Sequence, residues 1–358
     1  MLKPRAAVQN LPAYDPPLVW REGLRLDFNE NTAGCSPRVH ARLRELSAND
    51  IGYYREREPM EAAVAAHLGI DSDEVLLTNG ADEAIHLLCE TFLNPEDEAL
   101  LVVPTFITYE LSARSTGARV IKVPAGKNFS FPISDLLAQI NPRTRLIAVA
   151  NPNNPTGATA EPDALLEAAR RAPNAAVLID EAYFEFYGKT LLGAWRGGDV
   201  PNLFVARTFS KAYGMAGLRV GALAGNSANV GMVRRLACPF NVNAVALACL
   251  PAAMGDSEYV RQYVEQVRRG REELQREFAR WGIRCWESQA SFVLAKIGAG
   301  QARFMQGMEA RGVLVHDRSR DHNCEGCVRI SIGKTEHTGQ LLKAMRETLA
   351  EIGVTEIS

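Results

Sequence analysis

The chain has 358 residues, 47% hydrophobic and 23% charged, with a net charge of −2. That length fits two domains of unequal size better than one core, and the composition is that of a globular protein. A near-neutral balance with no block of Lys or Arg gives no reason to expect a nucleic-acid face. The longest apolar runs, such as LIAVA (146–150), have the length of a strand and fall short of a membrane span. Seven cysteines, odd in number and irregularly spaced, point to a reduced, cytoplasmic setting rather than a disulfide framework. The opening residues MLKPRAAVQNLPAYDPP lack the apolar stretch of a secretion signal and read as a Pro-rich surface arm.

In chain order, residues 60 to 225 alternate amphipathic helices with short apolar strands. EAAVAAHLG (61–69) predicts a helix stopped at Gly69. EVLLTNG (74–80) predicts a strand running into a glycine, and ADEAIHLLCETFL (81–93) a helix with an acidic first turn. Further strands are expected at EALLVVP (98–104), ARVIKVP (118–124), TRLIAVANP (144–152), AAVLIDEA (175–182) and NLFVARTFS (202–210). Strands that are apolar throughout and separated by helices predict an α/β fold, with a mainly parallel central sheet covered on both faces. After residue 226 a long charged helix (257–282) precedes short strands at SFVLAKI (291–297), GVLVHD (312–317) and CVRISIG (327–333). A closing helix, TGQLLKAMRETLAEI (338–352), follows. This part is expected to be a smaller α+β domain completed by the N-terminal arm. The expected division is 1–40 for the arm and part of the small domain, 41–245 for the large domain and 246–358 for the small C-terminal domain.

Polar loops follow several strands: NGADE (79–83), NPNNPTG (151–157), DEAY (180–183) and TFSK (208–211). In open parallel sheets ligands bind beyond the carboxyl ends of the strands, so these loops are expected to share one crevice. Their inventory matches the needs of a phosphorylated, protonated heteroaromatic ring that carries an aldehyde. Asp180 can pair with a ring N–H⁺, and Lys211 can form a Schiff base with the aldehyde. Asn154 and Tyr183 can donate hydrogen bonds to a ring phenolate, and Phe106 can stack on the ring. A phosphate would be held by the backbone at Gly80, Ala81, Asp82 and Glu83, by Thr208 and Ser210, and by Arg219.

Each of these residues has a plainer reading alone. Asp180 could be a helix N-cap, Asn154 beside Pro155 turn chemistry, and Thr208 and Ser210 local caps. Arg219 could form a structural ion pair, and Tyr183 and Phe106 could be core aromatics. Their convergence on one set of loops favours the ligand. CEGC (324–327), with His316 and His322 nearby, lacks the second ligand pair of a zinc site, so no metal is expected. Glu185 and Tyr187 in YFEFYG read as surface and packing.

SKAYGMAGLRVG (210–221), NPNNPTG, DEAY and NGADE resemble the motif set of fold-type I pyridoxal-phosphate aminotransferases. The narrower resemblance is to the histidinol-phosphate aminotransferase family, through LDFNENTAGCSP (26–37), PFNVNAVA (239–246), SFVLAKI, RGVLVHDRSR (311–320) and GCVRISIG (326–333). It implies the fold-type I transferase architecture and pyridoxal 5'-phosphate as cofactor. Lys211, Asp180 and Tyr183 become catalytic residues, glutamate the amino donor, and a keto acid the acceptor. It also implies a homodimer with shared active sites, in which Tyr53 or Tyr54 of GYYRERE, with Tyr53 preferred, reaches the neighbouring subunit's cofactor. Arg329 is assigned to the donor's carboxylate, where a planar guanidinium gives a bidentate grip. Asn29 and His316 are assigned to the substrate.

Two departures stand out: NENT replaces NENP, and His316 stands where the family usually has an arginine for the distal anion of the substrate. A histidine is only partly charged near neutral pH, and Arg318, Arg320 and Arg21 are the candidates to compensate. An aromatic amino-acid aminotransferase and a threonine-phosphate decarboxylase are the alternative activities on the same cradle.

Overall fold

The structure is a computed structural model and describes residues 2–9, 11–12 and 22–354. Its strands are β1 (Leu24–Arg25), β2 (Val75–Thr78), β3 (Glu98–Val103), β4 (Arg119–Pro124), β5 (Thr144–Ala150), β6 (Ala176–Asp180), β7 (Leu203–Thr208), β8 (Gly221–Gly225), β9 (Arg284–Cys285), β10 (Phe292–Lys296), β11 (Val313–Leu314), β12 (His316–Asp317) and β13 (Cys327–Ser331).

Seven strands form the central sheet in the order β2-β8-β7-β6-β5-β3-β4. From β4 to β7 neighbours pair in parallel, as the apolar runs imply. Alternate residues of one strand enter opposite layers. Val177 and Ile179 join the core under the helices Glu58–Leu68, Pro162–Arg171 and Ala244–Met254. Leu178 joins the core under Gly80–Phe92 and Ile107–Ser115. A strand buried on both faces has no polar side, hence its unbroken hydrophobicity.

The sheet contains one strand that the sequence pattern does not announce. β8 lies antiparallel between β2 and β7. Its sequence, GALAG, has none of the β-branched or aromatic residues that mark strands. Small residues are required here, because a Cβ on Gly221 would stand 2.8 Å from the Arg207 carbonyl oxygen and from the Gly80 carbonyl carbon. Gly221 faces both Thr78 and Thr208 in register. That pairing sets the helix starting at Gly80, the end of β7 and Arg219 side by side.

The C-terminal part builds a second sheet, β12-β13-β10-β9, antiparallel throughout. It shares a core with the helices Ser257–Arg280, Gln301–Ala310 and Thr335–Glu351. The single strand expected at 312–317 is divided at Val315: β11 pairs in parallel with β1, and β12 joins β13. Leu26, fully buried, belongs to the same core. Glu185 departs from its expected surface position. It lies in the four-residue helix Phe184–Tyr187 with its Oε2 buried, and burial pushes its carboxyl up to about 7.

Candidate active site

At the carboxyl ends of β5, β6 and β7 the residues Ala150, Asp180 and Ala206 stand in register. The loops that leave these ends close on a cavity of about 250 Å³, whose lining includes Asp180, Tyr183, Lys211, Asn154 and Phe106. Asp180, 5% exposed, receives the Tyr109 hydroxyl proton on Oδ2 at 2.5 Å and the Ala182 N–H on Oδ1 at 3.0 Å. Burial raises its carboxyl to about 6, although both hydrogen bonds favour the charged form. Lys211 Nζ donates to the Phe28 carbonyl at 3.2 Å and lies 5.9 Å from the centre of the Tyr183 ring. Burial, followed by the nearby Arg329 charge, lowers this amine to about 8. Burial also raises the Tyr183 phenol, whose oxygen accepts from Asn29 Nδ2 at 2.8 Å.

A polar cup closes one end of the cavity, with Ala81, Asp82, Thr208, Ser210 and Arg219 in its lining. Arg219 adopts a left-handed backbone, with φ at 52°. Its Nη1 reaches Ser210 Oγ at 3.4 Å and its Nη2 pairs with Asp82 at 3.1 Å. The Thr208 hydroxyl donates to Ser210 Oγ at 3.0 Å. Gly80 has φ at 78°, and a Cβ there would sit 2.4 Å from Arg219 Nη2. This is a cup with room for an anion and none for a side chain at position 80. The set fits a phosphorylated pyridine aldehyde: cationic and hydroxyl donors, a buried carboxylate and an amine of depressed basicity share one lining.

Other expected residues lie outside the lining. The Glu83 carboxylate accepts from the Asn79 N–H and from Asn241 Nδ2, each at 2.6 Å, and so caps its own helix and anchors the 239–246 loop. Asn29 is buried beside Tyr183, and its Oδ1 accepts from the Ser331 hydroxyl at 2.8 Å. Arg329 is buried and donates to Asn154 Oδ1 at 2.5 Å and to the Asp27 carbonyl. His316 faces Arg329 across β12 and β13, with its ring edge-on to Phe28 at 6.1 Å. Arg318 pairs with Asp321, Arg320 is exposed, and Arg21 lies outside the described residues. Tyr53 and Tyr54 are 69% and 81% exposed, on the outside of this chain. Cys324 and Cys327 are buried, and among the described residues no group of three His, Cys, Asp or Glu could hold a metal.

Residue-by-residue reading of the sequence missed Tyr109, Phe28, Arg25 and Glu30, all of which line the cavity. Tyr109 had a usable signal. It follows Phe106 by three positions at the start of the helix Ile107–Ser115, a spacing that puts both rings on one face. Arg25 and Glu30, ion-paired at 2.9 Å, also border a wider cleft of about 980 Å³ that carries Arg311 and Lys343.

The fold and cavity define a class of enzyme. The family model for aminotransferase class I and II matches residues 21–345, and the chain is an aminotransferase of that family. Within it, the histidinol-phosphate aminotransferase of Moorella thermoacetica is 34% identical over 92% of this chain and 86% of its own length. The chain belongs to the histidinol-phosphate aminotransferase family. Among solved structures, the histidinol-phosphate aminotransferase of Sinorhizobium meliloti in complex with pyridoxal-5'-phosphate has a TM-score of 0.89 at 23% identity, covering 99% of both chains. The L-threonine-O-3-phosphate decarboxylase of Porphyromonas gingivalis has a TM-score of 0.80 at 22% identity, over 91% of this chain and 99% of its own. The same fold therefore carries both transamination and decarboxylation.

Proposed function

We propose that the chain is a pyridoxal-phosphate enzyme that transfers the amino group of glutamate to imidazole acetol phosphate, forming histidinol phosphate in histidine biosynthesis. One observation carries this reading: Lys211, Asp180 and the Arg219 cup converge on a single cavity in a chain of this family. When bound, the coenzyme supplies an aldehyde for the substrate amine and a ring that withdraws electrons from the adjacent carbon. Asp180 holds the protonated ring nitrogen. Tyr183 and Asn154 fix the ring oxygen, and Phe106 covers a face of the ring. Ser210, Thr208, Arg219 and the amides at the start of the Gly80–Phe92 helix take the phosphate. Lys211 is the covalent anchor. Its amine, which burial lowers to about 8 in the cofactor-free chain, would be placed to take the substrate's α-proton as base and return it as acid. Arg329 grips the donor carboxylate and gives up its bond to Asn154 Oδ1 in doing so.

The distal end of the acceptor falls to His316, with Asn29 and Phe28 nearby. The edge-on Phe28–His316 pair also supports a second reading, an aromatic keto acid as acceptor. Steady-state rates with imidazole acetol phosphate against phenylpyruvate separate the two, and CO₂ release would mark a decarboxylase instead. Lys211→Ala should lose both turnover and the visible absorption of the loaded protein; retention of either overturns the assignment.

Further parts of the proposal concern the whole chain. The separate cores support a large and a small domain, but Val39 and the helix Ala244–Met254 pack in the core of the central sheet, which argues for a large domain wider than the expected 41–245 and a small one narrower than 1–40 with 246–358. A homodimer is supported by exposed apolar side chains at Ile51, Tyr53, Tyr54, Met232, Leu236 and Phe240, where Tyr54 stacks on Phe240 at 4.4 Å. Tyr53 would reach the partner's cofactor phosphate from this face. All seven cysteines are free thiols, in keeping with a cytoplasmic setting.

A further inference from the structure

Tyr109 is wholly buried on the first turn of the helix Ile107–Ser115, and Asp180 Oδ2 is the acceptor of its hydroxyl. Its ring meets Phe106 edge-on at 5.9 Å, so one side chain touches both the expected stacking ring and the Asp180 carboxylate. The other Asp180 oxygen is held by the Ala182 N–H. We propose that Tyr109 is a positioning residue: its hydroxyl fixes one orientation of the Asp180 carboxylate and keeps it charged, ready for the ring nitrogen of pyridoxal phosphate. This rests on the function proposed above.

The physical argument starts from the cost of a buried carboxylate. Asp180 sits in surroundings that favour its neutral form: burial acts first, and Asp82 and Glu181 add like charges. Glu181 is partly neutralised by Arg207 at 2.8 Å, and Asp82 by Arg219 at 3.1 Å. Lys211, itself lowered by burial, the phenol of Tyr183, and the ion-paired Arg25 and Glu30 line the same cavity. Against these stand two hydrogen bonds that prefer the anion, of which Tyr109 supplies the shorter. Phenylalanine at position 109 keeps the ring, its packing on Phe106 and the helix, and removes that bond alone. Asp180 would then protonate at higher pH, and a neutral carboxyl cannot pair with a ring N–H⁺.

The test uses Tyr109→Phe, Asp180→Asn and the double variant, with circular dichroism to verify the fold. Equilibrium binding of pyridoxal phosphate to the apoproteins is measured across pH 5–9. Tyr109→Phe should weaken binding roughly 10- to 100-fold, the range expected for a hydrogen bond to a charged group. The acid limb of its binding profile should move to higher pH, and kcat should fall with little change in the KM for glutamate. In the Asp180→Asn background the same substitution should cost almost nothing, because the charge it serves is gone. Tyr109→Phe with wild-type affinity and an unmoved acid limb overturns the proposal, as does a full loss in the Asn background. Wild-type protein that fails to take up pyridoxal phosphate overturns the functional reading, and this proposal with it.

Discussion

Lys211 shows how a site is made from surroundings rather than from a residue type. The lysine ordinarily titrates at 10.5; withdrawn from water beside Arg329, it titrates at about 8. Protons are therefore bound less tightly in the folded apoprotein than in the unfolded chain. Between pH 8 and 10.5 the unfolded state carries the extra proton, so unfolding free energy should climb with pH in that window. Below pH 8 the buried charge is present and its cost is felt in full. Lys211→Met apoprotein is expected to be more stable than wild type at pH 7 by roughly 3 kcal/mol, with the gap closing toward pH 10.5. Urea titrations of both apoproteins at pH 7 and 10 check this, and a pH-independent difference would contradict it. The chemistry of Lys211, Asp180 and Arg219 was legible because Asp180 ends one apolar strand and Lys211 and Arg219 lie in the glycine-punctuated run that follows another. Tyr109 was overlooked because an aromatic inside the helix Ile107–Ser115, away from the strand end that drew notice to Phe106, reads alone as core.

Among elements, the glycine-punctuated loop after β7 shows which backbone positions carry constraint. Gly214 has φ at 70°, and a Cβ there would meet the Gly34 carbonyl oxygen at 1.9 Å, so this loop lies directly against the segment that follows the arm. Gly217, in the same motif, has no neighbouring atom within 4 Å of a built Cβ. Gly214→Ala should therefore cost at least about 2 kcal/mol and loosen cofactor binding, while Gly217→Ala should change stability by less than about 0.5 kcal/mol. Urea unfolding midpoints of the two variants give the comparison, and equal effects would remove close approach as the reason for Gly214. Strands β3, β5, β6 and β7 were readable because burial on both faces leaves a continuous apolar run. β8 was not, since its residues are chosen for close approach to Arg207 and Gly80 and not for strand propensity.

At the scale of the whole molecule, the exposed apolar face between residues 51–54 and 232–240 is internally braced. Arg57 Nη1 donates to the Cys238 carbonyl at 3.2 Å and to Asn241 Oδ1 at 2.7 Å, while Asn241 also holds Glu83 beside the anion cup. Docking a second copy on this face would thus bear on the phosphate end of the cavity. If the proposed homodimer forms through this face, Phe240→Glu should raise its dissociation constant at least about 10-fold and speed cofactor loss. Tyr53→Phe should leave the dimer intact and weaken cofactor binding about 10-fold, the worth of one hydrogen bond to a charged group. Sedimentation velocity and cofactor retention on dilution read both; a Phe240→Glu protein that stays dimeric would remove this face as the interface. The sequence alone determined the layered α/β core, the small second part and the motif residues after each strand, because periodicity and turn chemistry are local properties. Tertiary structure decided the antiparallel insertion of β8, the split at Val315, the commitment of Glu83 to neighbours outside the cavity and of Asn29 to Tyr183 and Ser331, and the Tyr109–Asp180 bond. Each of these depends on which distant segments come within a few ångströms of one another, and that distance is written only in the folded chain.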